Sequence, residues 1–223
     1  MRIALSILIG IHGIIHLFGF LKAFDISEFN AISEPISKTF GTVWLLGFVL
    51  FATTTVLLFT QSSHWWVFGI IGVIISQFLI INYWSDAKFG TLANVIILIA
   101  IVIAYSSFSF KNKIKEERAT LFKNSQHVSQ EIVTEEALTG LPAIVQRWLT
   151  HSGVIGSHYT SNVYLVQELQ LKMKPEQTEW KNSKAASELA FHSAPFTHSI
   201  TTQLNSSLKV TGRDKFENGN GEM

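Results

Sequence analysis

The order of hydrophobic and polar positions changes once, sharply, near residue 110. Before that point lie four apolar runs, residues 3–21, 41–60, 65–84 and 91–110. Each matches the roughly 20 helical residues that a bilayer core requires, so each predicts a transmembrane helix. Arg2 precedes the first run and "FLKAFD" follows it without a small-x-small cleavage site, which predicts a retained helix rather than a signal peptide. Trp44, Trp65, Trp66 and Trp84 fall near predicted helix ends, where amphipathic rings favour the membrane–water boundary.

Beyond residue 110 the chain alternates between polar helix and strand patterns. Residues 111–126 lack Gly and Pro and predict that the fourth helix runs on as a linker, 111–133. Thr134 is the expected N-cap of a short helix stopped by Gly140. "LPAIVQRWL" (141–149) restarts one, with Pro142 at its first position and Gly153 after its end. Ile144, Val145, Trp148 and Leu149 share a face, which is expected to cover something apolar. The period then falls from 3.6 to 2. In 163–173, Val163, Leu165, Leu169, Leu171 and Met173 oppose Glu168, Gln170 and Lys172. With 185–192, 196–204 and 208–216 this predicts an antiparallel sheet with one buried and one wet face. The expected fold is therefore a membrane α-helical unit of four transmembrane helices (1–110) plus a C-terminal α+β domain (134–223). "ENGNGEM" places an Asn-Gly hairpin signal at the end with little chain to return, so the sheet is expected to be truncated.

Charge sharpens this division. Residues 1–110 hold four basic and four acidic side chains, and 111–223 hold 13 and 12. Two nearly neutral halves give no field that would attract nucleic acid. The absence of cysteine removes disulfides, thiolate metal sites and a cysteine nucleophile. Arg2, Lys111, Lys113, Lys115 and Arg118 flank one side of four crossings, against Lys22, Lys38 and Lys88 on the other, so both ends are expected in the cytoplasm.

The candidate chemistry begins with His12 and His16. Four residues of helix bring both imidazoles to one face. One helix cannot supply both axial ligands of a haem, and no second His pair in the membrane half completes a metal site. A proton relay or a polar ligand pocket remains, against a packing role beside the small residues Ser6, Gly10 and Gly13. Antiparallel crossings would place His12, His16, Gln77, Asn82, Asp86, Lys88 and Asn94 around one pocket. Thr53, Thr54 and Thr55 read as packing residues that bond back to their own helix. In the C-terminal half, Arg147, Trp180, His198 and Asp214 are the candidates. No phosphate loop or nucleophile elbow is present.

"IHGIIHLFGFLKAF", "YWSDAKFGTLAN", "LPAIVQRWL" and "GRDKFENGNGEM" together resemble an uncharacterised bacterial membrane-protein family that joins a four-helix membrane module to a C-terminal domain of unknown function. The resemblance rests on Leu141, Pro142, Val145, Arg147 and Trp148, on Trp180, Pro195 and Phe196, and on Asp214, Phe216, Gly219, Gly221 and Met223. It implies a soluble domain that continues past Met223, and it transfers no activity. His198 stands where related chains often have Trp.

These features give a non-enzymatic multi-pass protein of the inner membrane. Its four-helix anchor bears a soluble domain that binds a protein partner or a small apolar ligand. The sequence assigns no catalytic residue, metal or cofactor. The alternative is a small membrane enzyme or transporter-like module that uses a His12/His16 pocket for proton or metal chemistry.

Overall fold

Among the described residues, four helices are long and apolar enough to cross a membrane: α1 (Arg2–Ala23), α2 (Lys38–Phe59), α3 (Trp65–Asn82) and α5 (Gly90–Asn124), with the single-turn α4 (Trp84–Ala87) between the last two. The computed structural model describes residues 2–27, 32–124, 131–191, 194–205 and 208–223. The chain divides into two units, Met1–Phe110 and Lys111–Met223.

The first unit is apolar outside and partly polar inside. Ile3, Ile7, Ile11 and Ile14 on α1 and Ile96, Ile99 and Ile103 on α5 are exposed, whereas Ser6, His12, His16, Thr54, Ser76 and Asn94 are buried. That inversion suits a hydrocarbon solvent, in which outward apolar side chains cost nothing and polar groups need internal partners. Ser37 caps α2 by accepting from the Phe40 amide at 3.3 Å. Thr54 and Thr55 donate to the Leu50 and Phe51 carbonyls at 2.7 and 2.9 Å, which satisfies both hydroxyls within α2. Glycines let α1 and α2 approach. A Cβ on Gly13 would lie 3.0 Å from the Phe51 Cβ, and one on Gly19 would lie 2.2 Å from the Trp44 ring. Trp44 and Trp65 pack inside the unit. Both are buried, Trp65 with Ile9, Phe51, Leu58, Val73, Ile97 and Ile101, and Trp44 with Leu79 and Tyr83.

In the second unit α5 continues through Asn124, residues 125–130 of the expected linker lie outside the described residues, and 131–133 are not helical, because Ile132 bridges to His158 instead. The short helix expected after Thr134 is a 3-10 turn, Glu136–Leu138. Pro142 sits at the N-cap of α6 (Ala143–His151) rather than inside it, because its ψ of 142° is extended. The sheet is an antiparallel meander in the order β1 (Asn162–Leu171), β2 (Lys181–Ala190), β3 (Phe196–Gln203), β4 (Lys209–Glu217) and β5 (Asn220–Glu222). β2 starts earlier than its weak alternation suggested, since pairing with β1 runs from Leu171↔Lys181 to Asn162↔Ala190. The hairpin also closes: Asn218 and Gly219 take φ of 52° and 78°, and Asn220–Glu222 returns along β4.

Two expectations about burial are overturned. The first is that α6 covers an apolar surface. No residue of α6 is buried, and Ile144 and Trp148 are 65% and 67% exposed. The second is that the apolar face of the sheet is the buried one. The register puts Val163, Leu165, Leu169, Leu171, Ala185, Leu189, Phe196, Ile200, Val210 and Phe216 on one face. Of these only Ala185 is buried. Residues 111–124 of α5 cover part of the opposite, polar face instead. Ion pairs of Glu117 with Arg213 and of Arg118 with Glu188 hold them there.

Candidate functional site

Two arrangements bring chemically useful groups together, one in each unit. In the first, α1, α3 and α5 each contribute to a hydrogen-bonded cluster. His12 Nε2 lies 3.0 Å from Asn94 Oδ1 and 3.1 Å from Ser76 Oγ. Asn94 Nδ2 donates to Gln77 Oε1 at 3.1 Å, and Gln77 Nε2 donates to Thr91 Oγ1 at 3.3 Å. This order turns the Asn94 oxygen to His12, so His12 Nε2 is the donor. His16 Nδ1 lies 2.9 Å from the His12 carbonyl, which can only accept, so Nδ1 donates. In the neutral ring His16 Nε2 is then a lone pair. It is buried without a hydrogen-bond partner, as is the Nε1 of Trp44, whose ring centroid is 5.2 Å from that of His16.

Four of the residues expected around a membrane pocket therefore meet: His12, His16, Gln77 and Asn94. Asn82 turns outward and donates to the Phe78 carbonyl at 2.8 Å. Lys88 is exposed and lies over the Phe89 ring. Asp86 accepts from the Ser33 amide (2.7 Å), the Ser33 hydroxyl (2.7 Å) and the Glu34 amide (3.1 Å). It anchors the segment before α2 instead of joining the cluster. Ser76 and Thr91 were missed. Ser76 adjoins Gln77 in sequence, and a small hydroxyl in an apolar run gives little signal of its own.

The Asp86 bonds have a pH consequence. The Ser33 hydroxyl, then the Glu34 amide, hold its carboxyl below the ordinary aspartate value. A depressed value in the fold means that the anchoring is complete above the ordinary aspartate range and is lost as pH falls through the folded value. We expect Asp86→Asn to lose the anchoring at neutral pH. Hydrogen exchange at the Ser33 and Glu34 amides, corrected for intrinsic rates, should accelerate, and unchanged exchange would refute the role.

The second arrangement is the sheet with residues 111–124. Arg213, 6% exposed, lies 2.7 Å from Glu117 and 3.0 Å from Glu222. Glu188, 1% exposed, accepts from the Thr197 hydroxyl at 2.8 Å and lies 3.7 Å from Arg118, whose guanidinium stacks 5.3 Å from the Tyr164 ring centre. Beside them a cleft of about 260 Å³ is lined by charged residues, among them Lys113, Glu117 and Lys215, and by the apolar Leu121, Pro195 and Phe216. The covered side of the sheet thus carries a charged seam.

Residues 131–223 match a family of unknown function, DUF6544. No curated protein and no solved structure matches the chain. The DUF6544 segment contains α6, the whole sheet and its open apolar face. Ser187, His198 and Asp214 form a polar row across that face, each the direct partner of the next in the ladder, and in another row Ser183 donates to Thr202 Oγ1 at 3.0 Å. Ser187 Oγ is 2.7 Å from His198 Nδ1. The apolar row Val163, Leu189, Phe196 and Phe216 lies on one side, with the two Phe rings stacked 6.0 Å apart. Gln167, Ala185 and Ile200 lie on the other. His198 and Asp214, taken as separate candidates in the sequence, are thus cross-strand neighbours. Ser187 was missed because only the register reveals it. Arg147 is exposed on α6. Trp180, 57% exposed, carries the Lys172 ammonium 5.0 Å above its ring and stands apart from the polar row in the ladder.

Proposed function

We propose that this is a membrane-anchored binding protein whose DUF6544 segment holds an acyl-chain amphiphile on the open face of its sheet, with both flanks of the anchor in the cytoplasm. The supporting observation is the burial pattern: the polar face is the one that α5 covers, while on the apolar face Leu165, Phe196 and Val210 are exposed and Leu189, Ile200 and Phe216 half-buried. An apolar surface crossed by a few convergent polar groups matches how sites for such ligands are built. Leu165, Leu189, Phe196, Ile200 and Phe216 would take the chain, and Ser187, His198 and Asp214 its polar group. The four apolar helices favour this class of occupant over others, because a chain anchored in a bilayer meets acyl lipids at high local concentration.

A test uses the full chain in nanodiscs with a diazirine-bearing fatty acid. Photolysis should label peptides 162–171 and 196–203, and Ile200→Lys should remove most of that labelling. Labelling confined to the apolar helices, or unaffected by Ile200→Lys, would refute the proposal. A proton-carrying role for the His12 cluster has less support. Its outward path runs through two carboxamides, Asn94 and Gln77, whose donor and acceptor atoms are distinct and do not pass a proton along.

A further inference from the structure

Helix α6 presents an apolar arc with nothing described on it. Ile144, Val145, Trp148 and Leu149 fall within about 140° of the helical circumference at 100° per residue. Leu141, Ile144 and Trp148 are exposed, and Val145 and Leu149 are half-buried. Thr150 lies opposite the arc, Gln146 and Arg147 each lie about 60° beyond one of its edges, and His151 borders it next to Ile144.

The segment that carries α6 is closed at its base. Ile132 and His158 form an antiparallel bridge. Val133 donates to the Ser157 carbonyl and Gly156 to the Val133 carbonyl, both at 2.9 Å, and Tyr159 donates to the Glu131 carbonyl at 3.2 Å. Inside this clasp Val133 and Leu138 are buried. The segment is therefore tied at its base while its helix keeps its apolar side outward.

We propose that α6 is an interfacial helix. It seats Ile144, Val145, Trp148 and Leu149 at the headgroup–acyl boundary of the bilayer crossed by the apolar helices of the same chain. Three features favour a lipid surface over a protein. Trp148 is of the residue type that prefers that depth. Arg147 and His151, on the Ile144 side of the arc, are placed to meet lipid phosphates. A nine-residue helix binds a bilayer weakly by itself, but a membrane-spanning anchor in the same chain supplies the effective concentration that a short helix lacks. This inference rests on α6, its clasp and the membrane anchor of the proposed function, and it stands whether or not the sheet binds an acyl chain.

The chain has no cysteine, so nitroxide labels can be placed singly. Ile144→Cys, Trp148→Cys and Gln146→Cys would be labelled in the full chain, reconstituted in nanodiscs of phosphatidylcholine and phosphatidylglycerol. Power saturation with oxygen and with a nickel chelate then reads depth. The expected result is an oxygen-to-nickel accessibility ratio several-fold higher at positions 144 and 148 than at 146. Equal ratios at 144 and 146 would mean that the arc faces water and would overturn the proposal. Low accessibility to both reagents at 144 and 148 would mean that protein covers the arc, and would overturn it equally. Gln146 lies on the polar side, so its label reports on the folded chain even if one label in the arc perturbs it. The photolabelling of the sheet and the depth of α6 can fail independently, which keeps the two readings separable.

Discussion

Gly19→Ala is expected to destabilise the membrane unit more than any other single-methyl change to a glycine there. The added Cβ would lie 2.2 Å from Trp44 Cδ2, 2.5 Å from Cγ and 2.7 Å from Cε3, far inside contact distance. Trp44 has nowhere simple to go. It is 4% exposed, its ring is 5.2 Å from His16 and 5.9 Å from Tyr83, and it packs in one cluster with Leu79. Overpacking of this kind costs about 1–3 kcal/mol or more. We expect a clear fall in the thermal midpoint of the detergent-solubilised chain. Gly10→Ala is the matched control, because its Cβ meets Thr55 at 3.8 Å, an ordinary contact. That variant should be neutral or slightly stabilising, since alanine is the better helix former. Equal midpoints for the two variants would show that the α1–α2 contact is looser than the structure has it.

Arg213→Met is expected to release residues 111–124 from the sheet. Arg213 is buried, and its guanidinium holds Glu117 at 2.7 Å, whose side chain is 13% exposed. Removing one partner of a buried pair leaves the other uncompensated, at a cost of about 3 kcal/mol. The contact with Glu222 adds little, because that side chain is 58% exposed and screened by water. A loss of that size corresponds to roughly a hundredfold drop in hydrogen-exchange protection at 113–121 and in β4. Protection in α1 and α2 should not change. Unaltered protection at 113–121 would show that the ion pair does not hold the helix to the sheet.

Much of the architecture follows from local pattern. Apolar runs of bilayer length fixed the four long helices, since in hydrocarbon only a helix satisfies every backbone group within one segment. Period-two alternation located the strands, and the Asn218-Gly219 pair located the last turn, because both accept positive φ. His12 and His16 were legible as one face of one helix. Their partners were legible only in part. Asn94 and Gln77 stand out as amides in apolar runs, whereas Ser76 resembles any packing residue. Asn82 is satisfied locally by the Phe78 carbonyl, and Asp86 by the Ser33–Glu34 backbone more than fifty residues earlier. Neither choice of partner leaves a trace in spacing.

The sequence by itself determined which side chains share a face, because helix and strand periods are properties of the backbone. Only the tertiary structure decided which face is covered. Alternation in 163–173 implies an apolar side and a polar side, and the usual rule buries the apolar one. Here Glu117 and Arg118 meet Arg213 and Glu188 across the polar side, and specific ion pairs between distant segments outweigh the general preference. The same holds for the row Ser187, His198 and Asp214. Each residue type is plain in the sequence, but their alignment depends on the register of three strands, which is set by pairings that no local window contains.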